Sequence, residues 1–349
     1  DEIEKYTALR YDKKVNKIYT AYDLADLEKI NVVKFDILGL NTMEQINELK
    51  KLTKVNPNLD EIIEDEKIYE EFRKGNTAGI FQFEKDVAKE ILANIQCDCF
   101  EDLVAASAMN RPGPLSLKQP EQYAKNKFNQ EEISKELYYK YTKETYGTII
   151  YQEQIQQICV NIGKMAWTDA DKVMKMLKGG AMTKEGLERF KKNKAELQAK
   201  FIKGAVESGY TKEKAKKLFD MMVVYSFNKG HAVGYTLISV LEMWFKIYYP
   251  LQFWYIKNKY ADDADRYLYT IEASKDGILF FLPHVNYSAD FSLRKIDGEY
   301  VIQEGLNSIK GVGEKAALFI EEERKKNGPF RSEEEFIERV KVKKSPVNK

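Results

Sequence analysis

Val32-Val33-Lys34-Phe35-Asp36-Ile37-Leu38-Gly39-Leu40 reads as a short β-strand, because its start is apolar and β-branched. A period of two places Val33, Phe35 and Ile37 on one face and Val32, Lys34 and Asp36 on the other. Lys34 and Asp36 therefore stand about 7 Å apart on one side of the strand. Gly39 ends it, and Asn41 or Thr42 can cap a helix marked by Met43, Ile46, Leu49 and Leu52. Taken alone, the stretch is either an edge strand with a solvated ion pair or a metal-binding carboxylate beside a phosphate-facing lysine. The rest of the chain has to decide.

Outward from this stretch, 349 residues allow roughly two domains, or three small ones. The formal charge of +1 conceals an uneven distribution: residues 111–230 hold 23 Lys and Arg against 14 Asp and Glu. That surplus of nine suits a polyanionic partner, although a solvated helix surface has the same composition. Cys97, Cys99 and Cys159 do not make a disulfide framework, which points to a reducing compartment. Cys97-Asp98-Cys99 lacks a second ligand pair and only two histidines are present, so a structural zinc is not expected. No run of about 18 apolar residues appears, so no membrane partner is expected and the setting is cytoplasmic. A first residue of Asp rather than Met suggests a piece of something longer.

Residues 1–31 are a polar lead-in with a turn near Asp12-Lys13-Lys14. From Glu84 to Ser274 the periodicity is helical almost throughout. Apolar stripes cover Ile91–Ile95 and Phe100–Met109, and Arg111-Pro112-Gly113-Pro114 stops the second as a rigid turn. Helices are expected over Tyr151–Ile162, from Thr168 to Gly179-Gly180, over 184–207, from Thr211 to about Tyr225, and over Ala232–Tyr248. After Asp276-Gly277 the period changes. Ile278–Phe281, Phe291–Ile296 and Tyr300–Gln303 read as strands, the last two joined at the hairpin dipeptide Asp297-Gly298. The end is helical again.

Several clusters could carry chemistry. Ile309-Lys310-Gly311-Val312-Gly313 has the form of a helix-hairpin-helix loop, whose glycines allow a tight turn and whose next helix offers free N–H groups to a phosphate. Lys310, Gly311, Val312, Gly313 and Lys315 are its candidate DNA contacts, made without reading sequence. Phe227-Asn228-Lys229-Gly230-His231 places Lys229 and His231 just ahead of a long helix, where an anion could be met, and Tyr235 one turn on could stack on a base or sugar. Lys172, Lys175 and Lys178 share one helix face. Arg111 sits at a Pro-bounded helix end. Glu153, in Tyr151-Gln152-Glu153-Gln154, favours a helix N-terminus.

The order of these motifs is more specific than any one of them. Lys34-Phe35-Asp36-Ile37-Leu38-Gly39-Leu40, Ile80-Phe81-Gln82-Phe83-Glu84, Arg111-Pro112-Gly113-Pro114-Leu115, Tyr146-Gly147 with Tyr151-Gln152-Glu153-Gln154, and Phe227-Asn228-Lys229-x-His231 together resemble the bacterial replicative DNA polymerases of family C, the polymerase III alpha subunits. Leu282-Pro283, Val285-Asn286 and the glycine loop at 309–313 continue the match, which covers about residues 17 to 340. The resemblance implies that the chain is a fragment of a parent enzyme that adds deoxynucleotides from deoxynucleoside triphosphates to a primer 3′ end on template DNA, by two-metal nucleotidyl transfer with Mg²⁺. It makes Asp36 one of three metal-binding catalytic carboxylates and places Lys34 at the triphosphate. It also gives the incoming nucleotide to Arg111, Lys172, Lys175, Lys178, Lys229, His231 and Tyr235, and implies a sliding clamp and other replisome subunits as partners of the parent protein.

The implied fold is mainly α with a small β component. Residues 1–55 would close a palm whose strand remnant is the opening stretch, 56–275 would form helical fingers, and 276–349 a small β element with the helix-hairpin-helix. Departures exist: Met174-Lys175 stands where the family usually has an arginine pair, Gly179-Gly180 replaces lysines, and Gly230 replaces Ser or Ala. Loss of a guanidinium removes bidentate phosphate binding. The two further catalytic carboxylates have no counterpart, since Asp169-x-Asp171 and Asp263-x-Asp265 sit in helical, polar contexts. The chain by itself is therefore expected to be an inactive fragment of a polymerase. The main alternative is a non-catalytic helix-hairpin-helix DNA-binding module. A glycosylase is disfavoured because no Asp follows Asp297.

Overall fold

The computed structural model describes residues 3–32, 40–175, 184–223 and 226–341. Lys34, Asp36 and most of the opening strand lie outside the described residues, as do Lys178 and Gly179-Gly180. The chain divides into two compact units, Asp1–Asn41 and Thr42–Lys349.

The stretch read as a polar lead-in contains a β-hairpin. Leu9–Asp12 and Lys17–Thr20 pair antiparallel, with Leu9 opposite Thr20. The turn expected near Asp12 is present: the Asp12 carboxylate accepts the Lys14 N–H at 2.8 Å, and Asn16 takes φ +53°. Both faces of this hairpin are largely exposed, so no apolar alternation advertised it.

The second unit is built from helices around a principal core. Ile46 and Leu49 of the Asn41–Thr53 helix belong to it, as do Phe72, Phe83, Leu92, Phe245, Phe253, Trp254 and Ile302. The Phe100–Met109 helix has the predicted bounds and is buried from Asp102 to Met109, so Asp102 needs partners. It has three: the Tyr123 hydroxyl donates at 2.7 Å, the Lys127 ammonium at 2.6 Å and the Asp98 N–H at 3.0 Å. Arg111-Pro112-Gly113-Pro114 does more than stop that helix. Pro112 opens a short helix, Pro112–Ser116, because a first-turn proline lacks only an N–H that has no intrahelical partner.

A second core joins Ile155, Ile158 and Cys159 of the Gln152–Asn161 helix to Leu197 and Phe201 of the long Lys184–Glu207 helix and to Leu218 and Phe219 of Lys212–Met222. Gly204 allows the close crossing there, since a Cβ on it would lie 1.9 Å from the Gly163 carbonyl oxygen. Thr211 caps the last of these helices by accepting from Lys214 N–H at 3.3 Å.

At the C-terminal end a three-stranded sheet forms, with Glu299–Gln303 between Phe280–Phe281 (parallel) and Ser292–Ile296 (antiparallel). Asp297 and Gly298 both have positive φ, +51° and +94°, as a two-residue hairpin turn requires. A third, small core of Ala289, Leu306, Ala317, Ile320, Phe330 and Val340 supports the helix Glu314–Asn327 and the glycine loop before it.

Candidate functional site

The Lys229–Tyr248 helix organises the site. Asn228 is its N-cap, the Asn228 side-chain oxygen accepting the His231 N–H at 2.8 Å. Lys229 and His231 therefore lie in the first turn of a helix that begins three residues before the expected start at Ala232. Phe227, His231 and Tyr235 recur every four residues and share one face. Their rings form a continuous row: Phe227 to His231 5.5 Å between centroids, His231 to Tyr235 4.0 Å, and Tyr235 edge-on to Phe81 at 5.1 Å.

Arg111 closes the row at its other end, its guanidinium carbon 4.5 Å from the Phe227 ring centroid. Its Nε is buried and has no hydrogen-bond partner among the described residues. Arg111, Asn110 and the 79–82 turn border a polar cleft of about 720 Å³, which Thr42, Lys85, Tyr260, Asp262, Asp265 and Tyr269 complete. Burial is the main reason the Asp265 carboxyl lies above its ordinary pKa, and the Asp262 and Glu84 carboxylates add to it. One wall of the cleft is thus acidic, and Arg111, Lys85 and Lys257 supply the cations.

Two buried side chains hold the 79–83 turn against the helix. Ser239 Oγ donates to the Phe81 carbonyl at 2.8 Å, and Glu242 Oε2 accepts the Phe81 N–H at 2.7 Å. Glu242 Oε1 receives the Lys257 ammonium at 2.6 Å, and neither side chain of that pair is more than 8% exposed. Sequence reasoning missed both Ser239 and Glu242. Their signal was available, since Ser239 continues the 227, 231, 235 spacing and Glu242 is the one acid in the Lys229–Tyr248 helix.

Other candidates are engaged differently. Glu153 lies in the first turn of its own helix, as expected, and its carboxylate oxygens also accept the Lys229 N–H at 3.2 and 3.1 Å. The Lys229 ammonium pairs with Glu144 and lies 5.8 Å from the Tyr151 ring centroid. Two first-turn N–H groups of the long helix are therefore already taken by side-chain oxygens. Lys172 pairs with Asp169 at 2.9 Å, and Lys200 shares that carboxylate at 3.1 Å. The backbone of Lys175 ends the Trp167–Lys175 helix, and its side chain lies outside the described residues.

The glycine loop is exposed at Lys310, Gly311, Gly313 and Lys315. Val312 N–H closes it on the Ile309 carbonyl at 2.9 Å, Gly311 has φ +93°, and Val312 packs on the small core. The element before it is a single 3₁₀ turn, Leu306–Ser308, rather than a full helix. Asn307 and Gly305 tie that turn to Asp290, whose backbone would clash with a Cβ at Gly305.

No helix among the described residues is long and apolar enough to cross a membrane. The model of the bacterial DNA polymerase III alpha subunit finger domain matches residues 40–209, and a helix-hairpin-helix motif model matches 277–349. The chain is 35% identical over 366 residues to DNA polymerase III subunit alpha of Aquifex aeolicus, an alignment covering 99% of this chain and 30% of that protein. The corresponding proteins of Helicobacter pylori strain J99 and Staphylococcus aureus strain Mu50 are 33% and 30% identical, over 98% and 93% of this chain and 29% and 30% of their own lengths. The chain thus spans about three-tenths of the curated relatives it matches.

Proposed function

This chain belongs to the bacterial DNA polymerase III alpha-subunit family, and on that premise we propose that it carries the incoming-nucleotide and DNA contacts of a DNA-directed DNA polymerase that extends primer 3′ ends. In this reading residues 1–55 close the palm, 56–275 are the fingers and 276–349 hold duplex DNA. The observation that carries the nucleotide half is Arg111: a guanidinium stacked on Phe227, with a buried, unpartnered Nε beside a polar cleft. A buried donor without an acceptor is a cost that an anionic ligand would remove.

His231 and Tyr235 continue from Arg111 as a face for the base and sugar. Lys229 would have to leave Glu144 to reach a phosphate, and Lys172 would have to leave Asp169. Lys175, Lys178 and Lys34 complete the proposed phosphate contacts. Lys310 and Lys315, with the exposed backbone at Gly311, Val312 and Gly313, are proposed to grip the DNA backbone. The full-length protein would act in the cytoplasm, with a sliding clamp and other replisome subunits.

Magnesium is the proposed ion, and Asp36 one of its ligands. A divalent cation supplies activation of the primer hydroxyl and neutralises phosphate charge. Among the described residues the one group of three metal-ligating side chains is Asp98, Cys99 and Asp102. It does not fit, because the Lys127 ammonium already neutralises Asp102 at 2.6 Å and Asp98 at 3.0 Å.

The test is deoxynucleotide affinity of the full-length protein. Arg111→Ala should weaken it about tenfold, and Arg111→Lys should recover only part, because lysine lacks the planar fork and its stacking. Unchanged affinity in Arg111→Ala would overturn the assignment.

A further inference from the structure

We propose that Glu153 is a positioning residue for the nucleotide-facing row of the Lys229–Tyr248 helix, an inference that rests on the polymerase reading above. Glu153 lies at the start of the Gln152–Asn161 helix, whose apolar face belongs to the second core, while the helix it caps packs in the principal core. It therefore links two hydrophobic core clusters at the point where the row begins.

The backbone brings the two segments into register. Phe227 N–H donates to the Ile150 carbonyl and Gln152 N–H to the Phe227 carbonyl, both at 2.9 Å, forming a bridge between Tyr151 and Phe227. Two residues beyond the bridged pair on each segment, Glu153 meets Lys229 at the helix start. Both its oxygens accept from Lys229 N–H, and Oε1 also accepts the Asn228 side-chain amide at 3.2 Å.

That last bond has a consequence for His231. An asparagine amide has a donor end and an acceptor end. With Nδ2 turned to the Glu153 carboxylate, Oδ1 is turned to His231 N–H, which it meets at 2.8 Å. Glu153 thereby fixes the orientation of Asn228, Asn228 fixes the first turn, and the first turn sets His231 and Tyr235 on Phe227. The carboxylate charge also lies at the positive end of a 20-residue helix, where it is stabilising. Glu153 does not line the cleft and acts only through Lys229 and Asn228.

The experiment is steady-state primer extension by the full-length polymerase carrying Glu153→Ala or Glu153→Gln. Glu153→Ala should raise the KM for deoxynucleotides about five- to tenfold, the loss typical of a cap, with kcat and primer–template affinity within about twofold. Glu153→Gln keeps an acceptor for Lys229 N–H and should stay within about threefold of wild type. A KM unchanged in Glu153→Ala, or equal losses of kcat and KM in both variants, would refute positioning. Should Glu153→Ala fail to fold, the cycle of Glu153→Gln with Asn228→Ala decides: non-additive effects on KM support the link, additive ones sink it. A wild-type protein that extends no primer would instead sink the polymerase reading.

Discussion

Glu242 reaches from the middle of the long helix to the backbone N–H of Phe81, 161 residues earlier in the chain, at 2.7 Å. Its other oxygen holds Lys257 at 2.6 Å. This one carboxylate ties the helix of His231 and Tyr235, the turn at the cleft floor and the Pro250–Tyr260 helix into a single piece. Burial lifts the Glu242 carboxyl above its ordinary pKa while the Lys257 ammonium pulls it back.

Removing the Glu242 charge should be costly. Glu242→Gln leaves the Lys257 ammonium buried without its counter-ion, and a loss of about 3 kcal/mol is expected in denaturant unfolding. Glu242→Leu combined with Lys257→Met should lose less than Glu242→Gln alone, because no charge then remains buried. A double variant less stable than the single one would contradict this account.

Lys246 makes a pH-dependent contribution of opposite character. It is 4% exposed, lies 4.9 Å from the Trp254 ring centroid, and donates to the Asn76 and Ala78 carbonyls and the Asn76 side chain. Burial lowers its pKa to about 8. Between about 8 and the ordinary lysine value the unfolded chain binds the extra proton, so stability should rise with pH through that window. Comparison with Lys246→Met isolates the group: the wild-type advantage should grow by about 3 kcal/mol from pH 8 to 10.5. A flat difference would show that Lys246 is not protonated differently in the two states.

The glycine loop should bind duplex DNA through its phosphates. Lys310→Ala and Lys315→Ala should each weaken binding similarly on any sequence and reduce the slope of log affinity against log salt by about 1. Gly311→Ala, at φ +93°, should weaken DNA binding and cost about 1 kcal/mol of local stability, although space for the methyl group is open. Salt slopes unchanged in both lysine variants would remove the loop from the interface.

Extension should depend on Asp36. On the proposed function, Asp36→Ala in the full-length protein should abolish primer extension with DNA affinity nearly intact, while the 349-residue chain alone should extend nothing. Extension retained by the variant would refute the role given to Asp36.

Much of the helical framework was legible because apolar spacing, Thr211, Gly209 and the Asp297-Gly298 pair act over a few residues. The bounds 100–109 and 184–207 follow from such local signals. The Leu9–Thr20 hairpin was not legible, since an exposed hairpin has no buried face to impose alternation. Pro112-Gly113-Pro114 was misjudged for a related reason: a proline that stops one helix is equally suited to the first turn of the next.

The sequence by itself determined the family, through an ordered string of motifs, and it determined which residue types are available: one guanidinium at 111, aromatics at 227 and 235, an imidazole at 231, glycines at 311 and 313. It could not decide which of these meet, because hydrogen bonds and ring contacts between residues tens to hundreds of positions apart leave no local pattern. Only the tertiary structure put Arg111 on Phe227, Glu242 on Phe81 and Glu153 on Lys229, and occupied Lys229 and Lys172 with Glu144 and Asp169. A cation with a carboxylate partner and a cation stacked on a ring look alike in a sequence; burial and the neighbours supplied by packing separate them.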